Sequence, residues 1–171
     1  MKIRILLSTL LVLFFLPMGT LTGQAQDQDL GTYTSRVLPR TTLHIGKATL
    51  NTEVAATGPQ RERGLMNRPK LADNDGMIFL MPDIGPATFW MKNTLIPLSI
   101  AFIDKDGVIL EIHDMVPADP RLDDRDVPIT RSDSNQVAYA LETNLHWFAL
   151  NGIKPGDKLD PAPATLGKST P

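Results

Sequence analysis

The sequence predicts a mostly β domain, a compact antiparallel β-sandwich or small barrel with two short helices. Three observations lead there. The chain reads as seven or eight short strands, some alternating apolar and polar residues with the period of two that a half-buried strand requires and others compactly apolar. Gly, Asn, Asp and Pro separate them at hairpin-like intervals. Only two segments carry helix signals, so antiparallel pairing is favoured over any βαβ arrangement.

Taken in order, residues 41–46 place Leu43 and Ile45 between polar neighbours, Gly46 and Lys47 read as a turn, and residues 48–56 alternate through Leu50, Thr52 and Val54. A hairpin is the simplest reading. Thr57 then caps a short helix, with Pro59 in its first turn and Gln60 three residues on to complete a capping box. Pro69 ends that helix by pushing Arg68 away from α geometry. Gly64 inside it costs about 1 kcal/mol relative to Ala, a cost that a close approach by another strand or a ligand would explain.

Residues 72–76 are turn chemistry, followed by an apolar strand over 77–81 that Pro82 closes. The stretch 87–104 then crowds aromatic, cationic, amide and β-branched residues into one pair of strands. Period two puts Phe89, Met91 and Asn93 on one side and Trp90, Lys92 and Thr94 on the other. Pro97 marks an edge, bulge or bend between the halves. Strand 98–103, a Gly107 turn and strand 108–113 follow as a hairpin.

Residues 114–135 are acidic, hold Pro117, Pro120 and Pro128, and read as a long surface loop. A strand over 136–142 leads to a helix that Thr143 or Asn144 caps and Gly152 stops. A last short strand lies near Lys158 and Leu159.

The amino terminus reads as an export signal over residues 1–25: basic Lys2 and Arg4, an apolar run, then a small-residue cleavage site ending at Ala25. Its apolar run of about 16 residues falls short of the roughly 20 that a spanning helix needs. A flexible leader over 26–40, one domain over 41–160 and a disordered tail over 161–171 complete the organisation. The expected location is the periplasm or the extracellular space, with no membrane span after cleavage.

The chain has no Cys, which removes disulfides, thiolate nucleophiles and Cys-based metal sites. It carries 17 Lys and Arg against 19 Asp and Glu, and loss of Lys2 and Arg4 with the signal makes it more acidic. Nucleic acid is therefore not an expected partner. Asp73-Asn74-Asp75-Gly76 and Asp104-Lys105-Asp106-Gly107 resemble calcium-loop openings but lack the closing Glu, so hairpin turns are preferred and no metal or cofactor is expected. No nucleophile elbow, phosphate loop or His-Glu-x-x-His string is present.

Arg63-Gly64-Leu65-Met66 with Arg68, Gly76-Met77-Ile78-Phe79, Phe89-Trp90-Met91-Lys92-Asn93-Thr94 with Ile96-Pro97-Leu98, Ala101-Phe102-Ile103-Asp104 with Gly107, and Tyr139-Ala140-Leu141-Glu142 with Gly152-Ile153 and Gly156-Asp157 carry a family signal. In that order, over about residues 43–160, they resemble the domain-of-unknown-function 192 (DUF192) family. The resemblance implies a compact, mostly β bacterial and archaeal domain, often exported, with no established activity. Ser99 stands where many members have Asp, and His146 near where Gly often follows.

The candidate ligand-binding residues are Arg63, Arg68, Trp90, Lys92, Asn93, Thr94 and Glu142. Arg63 and Arg68 offer forked contacts to a carboxylate, phosphate or sugar acid, with Lys92 as a point charge; pairing with acids such as Glu142 is the structural alternative. Trp90 and Phe89 offer a stacking wall or simply core. Asn93 and Thr94 orient a ligand or cap a turn. Glu142 is a candidate acid or base whose pKa depends on burial and on any ion pair with Lys92.

These residues point first to an exported module that binds a small anion or glycan fragment, or an accessory protein. The alternatives are a cell-envelope carbohydrate-active enzyme using Glu142, and a protein-partner module of unknown partner.

Overall fold

The structure, a computed structural model, describes residues 37–119, 121–123, 125–163 and 166. The expected signal segment, the expected leader up to residue 36 and most of the expected tail lie outside the described residues.

Nine strands and two short helices order themselves as β1 (Arg40–Ile45), β2 (Ala48–Ala55), α1 (Gly58–Arg63), β3 (Asp75–Gly85), β4 (Thr88–Trp90), β5 (Leu98–Ile103), β6 (Ile109–Met115), β7 (Ile129–Arg131), β8 (Val137–Asn144), α2 (Trp147–Leu150) and β9 (Leu159–Asp160), counted among the described residues. Seven strands form one sheet in the order β6-β5-β8-β3-β2-β1-β9, and β4 pairs with β7 in a second, two-stranded sheet. The large sheet curls: Val108 bridges Lys158, and the Leu159 N–H donates to the Gly107 carbonyl, so the segments beside its two edge strands meet. The mostly β class is as the sequence predicts.

One pairing departs from the expected antiparallel pattern. β2 and β3 are parallel, with Val54 opposite Ile78, and α1 lies in the crossover between them. A parallel pair needs a connection of a dozen or more residues. Residues 56–74 supply it with only one six-residue helix, too short a periodic signal to announce a βαβ unit.

Other boundaries move as well. α1 stops at Arg63, with Gly64 at positive φ as its C-cap, and so ends before the expected stop at Pro69. β3 continues through Pro82, because its ladder with β8 shifts between Leu80 and Gly85 and a residue without an N–H is tolerated at such an irregularity. The expected pair of strands over 87–104 gives way to the three-residue β4, after which residues 91–97 join neither sheet. Thr143 and Asn144 belong to β8 instead of capping α2; the Asn144 amide donates to the Ala72 carbonyl at 2.8 Å, and His146 precedes α2 in left-handed geometry without a side-chain cap. The long loop also contributes β7, which sequence periodicity did not reveal.

Strand alternation separates two cores. Ile78, Ala101, Ile103, Leu141 and Phe148 fill one face of the sheet, and Met77, Phe79, Leu98, Ile100 and Phe102 the other. β5 is buried at all six positions because both of its faces are covered. The second core is closed by Leu65 after α1 and by Met91 after β4. Those two covering segments build the walls described next.

Candidate functional site

The site begins with a helix that is short and firmly placed. Thr57 accepts from the Gln60 N–H while the Gln60 side chain accepts from the Thr57 N–H, completing the capping box. Arg61 Nη1 donates to the carbonyls of Ala56 at 2.7 Å and Leu80 at 3.0 Å, which fastens α1 across β3. Gly64 ends the helix at φ 45°, and a Cβ there would stand 3.4 Å from the Phe79 ring. Both the backbone conformation and the aromatic neighbour favour glycine.

The opposite wall is aromatic. Phe89 on β4 stands edge-on to Phe79 with ring centroids 5.0 Å apart, and a second contact reaches Phe102 at 5.9 Å. Trp90 remains 37% exposed, with Lys92 Nζ 5.2 Å from its ring centroid. Beyond β4 the chain turns through Asn93 at φ 52°, whose carbonyl accepts from the Asn67 N–H at 2.8 Å. That turn delivers Thr94, buried, to the same hollow.

Glu142 lies at the bottom. It projects from β8 between Met77 on β3 and Ile100 on β5, on the face that α1 and β4 cover. Only 5% of the residue is exposed, and among the described residues no group hydrogen-bonds or ion-pairs with its carboxyl. Burial pushes its pKa up to about 8, so the carboxyl keeps its proton at neutral pH.

Two hollows that share four lining residues make up the cleft. The inner neck, about 20 Å³, is lined by Arg63, Gly64, Phe79, Thr94 and Glu142 among others. The outer chamber, about 230 Å³, is lined by Arg61, Glu62, Met81, Thr88, Phe89 and Trp90. Arg61, Glu62, Phe89 and Trp90 border both.

Of the seven candidates, Arg63, Trp90, Thr94 and Glu142 border this cleft. Arg63 is exposed, and among the described residues no acid engages its guanidinium. Arg68 points elsewhere, in a bidentate pair with Glu53 at 2.7 Å for both bonds. Lys92 rests over Trp90 outside the lining, and Asn93 shapes the rim through its carbonyl. Glu62 and Arg61 are the lining residues that sequence reasoning passed over; charged residues on a short polar helix look like any solvated face.

A second polar cluster stands at the start of β5, at Ser99, one residue before the Ile100 that lies opposite Glu142. Ser99 Oγ donates to Asp114 Oδ1 at 2.5 Å and accepts from the His146 N–H at 2.7 Å, while His146 Nδ1 meets Asp114 Oδ2 at 2.9 Å. The Ser99 hydroxyl is thus doubly engaged and faces no imidazole nitrogen, an arrangement unlike an activated nucleophile. Among the described residues no three His, Cys, Asp or Glu side chains gather to hold a metal ion. Nor is any helix among them long and apolar enough to cross a membrane.

Fold and cleft together define a mostly β domain with one acid-floored cleft between a short crossover helix and an aromatic strand. The family model DUF192, described as an uncharacterized ACR, matches residues 41–161, and the chain belongs to that family. Two solved structures share the fold with a TM-score of 0.65. One, from Sinorhizobium meliloti 1021, carries the description of a candidate transcription regulator; it is 34% identical, and the match covers 74% of this chain and 97% of that one. The other, a protein of unknown function from Novosphingobium aromaticivorans, is 33% identical over 74% of this chain and 89% of its own. No curated protein matches.

Proposed function

We propose that this chain is an exported small-ligand-binding module, and that the cleft between α1 and β4 takes an anion or a glycan fragment. One observation carries the reading: a nearly buried carboxyl, Glu142, without a hydrogen-bonding partner among the described residues, faces a cleft that Arg63 borders with an unengaged guanidinium. No side-chain N or O atom among the described residues is both buried and without a partner, so the Glu142 oxygens open onto the cleft, where a ligand atom can reach them. Trp90 and Phe89 supply the flat apolar wall on which a sugar ring or planar group stacks. Export rests on the amino-terminal pattern of residues 1–25.

The test is a thermal-shift screen of small acids and glycan fragments against the purified protein and its Arg63→Ala and Glu142→Gln variants. Ligands should raise the melting temperature of the parent and lose that effect in Arg63→Ala. A screen in which every hit acts equally on parent and variants would place binding elsewhere and sink the assignment.

A second reading, a carbohydrate-active envelope enzyme, draws on the same Glu142. A carboxyl that keeps its proton at neutral pH is suited to general-acid work, and Glu62 places a second carboxylate beside the same cleft. Turnover of cell-wall oligosaccharide that disappears in Glu142→Gln would favour this reading, and unchanged turnover in that variant would exclude it.

A further inference from the structure

Resting on the reading of the cleft as a ligand site, the geometry points to the ligand's class. We infer that the cleft takes an ionised carboxylic acid built on a single ring, with one carboxylate oxygen in the neck accepting a hydrogen bond from Glu142 and the other facing Arg63.

Size sets the ring. An apolar cavity of roughly 150 Å³ holds benzene, so the outer chamber of about 230 Å³ accommodates one six-membered ring between Met81, Phe89 and Trp90. The neck of about 20 Å³ has room for a single water-sized group. A substituent ending in oxygen therefore fits it, and a second ring does not.

Charge sets the acid. Arg63 meets no acid among the described residues, and Arg61 is fastened through Nη1 by two backbone carbonyls, which do not neutralise it. Glu62 supplies one negative charge to the lining. Burial keeps Glu142 protonated to about pH 8, so the cleft presents two cations against one anion, together with a protonated carboxyl in the lining of the neck. A carboxylate complements both, and a charge-assisted O–H···O⁻ bond is among the stronger hydrogen bonds.

Beyond Arg61, Glu62 and Arg63 of α1, the elements packed on Glu142 add no further charge at its position. β3 presents Met77 and Phe79, β5 presents Ile100, and β4 presents Phe89 and Trp90. On β6, His113 lies opposite Ile100 and is engaged by Glu111, itself held by the Asp133 and Ser134 N–H groups. Lys92 lies over the Trp90 ring. Binding is therefore linked to the Glu142 proton: once it leaves, a donor becomes a second anion facing the ligand.

A sugar acid and an aromatic acid share this chemistry, so the experiment carries both. The purified protein is titrated with sodium glucuronate and sodium benzoate, and with the neutral counterparts methyl glucoside and benzamide, at about pH 6.5 and about pH 9.5, following the Trp90 indole and Glu142 amide signals by NMR. One acid should bind saturably near pH 6.5 and about tenfold or more weakly near pH 9.5. Glu142→Gln, whose amide still donates, should bind with the same affinity at both pH values, and Arg63→Ala should lose about tenfold at each.

Neutral counterparts that bind as tightly as the acids, or the same pH response in Glu142→Gln as in the parent, would overturn the inference and leave the ligand-site reading standing. If none of the four compounds moves either signal, both fall.

Discussion

Asn67 and Asn93 face each other in left-handed backbone geometry, φ 59° and 52°, and the Asn67 N–H donates to the Asn93 carbonyl at 2.8 Å. This bond ties the turn after α1 to the turn after β4, so the two walls of the cleft are fixed to one another. Left-handed backbone costs an ordinary L-residue roughly 1–2 kcal/mol, less for Asn and nothing for Gly. Asn93→Ala should therefore lower stability by about 1 kcal/mol in urea denaturation, and Asn93→Gly by clearly less. Equal losses would show that the Asn93 side chain, not its backbone, matters.

Gly76 offers a harsher substitution. A Cβ at that position would lie 2.8 Å from the Glu142 carbonyl oxygen and 2.9 Å from Leu50 Cδ2, closer than real side chains approach. Gly76→Ala must displace β8 at the residue that floors the cleft. We expect a loss of about 2 kcal/mol or more, with shifted Glu142 signals in NMR spectra. A variant as stable as the parent would mean that the β3 and β8 backbones separate freely.

Arg68 holds Glu53 through two bonds of 2.7 Å, and Arg40 reaches the same carboxylate at 3.2 Å. The Arg68 hydrogen bond keeps the Glu53 carboxyl below its ordinary 4.5, against the opposing effect of burial. A depressed folded pKa means that the stability is present above about pH 4.5 and lost as pH falls through the folded value. Because Arg68 is partly solvated, Arg68→Ala should cost only about 1–2 kcal/mol at neutral pH and less in acid. A deficit of the same size at low pH would rule out the charge pair as its source.

Glu142 gives the opposite slope. Its folded pKa is raised from 4.5 to about 8, so between those values the unfolded chain has released the proton and the folded chain has not. Its contribution to stability should fall as pH rises through that window, by up to about 1.4 kcal/mol per pH unit, and level off outside it. Subtracting the Glu142→Gln profile, measured by denaturant titration, isolates the effect. Parallel profiles for parent and variant would contradict it.

What the sequence disclosed was mostly local. The Thr57 and Gln60 capping box and the apolar run of β5 lie within a few residues, and propensity and period reveal such features directly. The parallel partnership of β2 with β3 depends on how residues 56–74 cross the sheet, and no short-range pattern records that. Arg68 looked like a ligand-binding cation because its partner Glu53 sits on a strand 15 residues away. The aromatic block around Trp90 was visible as an anomaly, yet its meaning came from Glu142, which lies on β8 of the other sheet and looks in sequence like an ordinary strand residue. Ser99 and His146, noted separately as departures from the family pattern, proved to be bonded to each other.

The protonation state of Glu142 underlies the account of the cleft, and its carboxyl carbon reports it most directly. Following that signal by ¹³C NMR from about pH 4 to about pH 10, with Glu142→Gln to assign it, should give a midpoint near 8. A midpoint near the ordinary value of 4.5 would mean that the carboxylate is charged at neutral pH, and would remove the proton donor from the floor of the cleft.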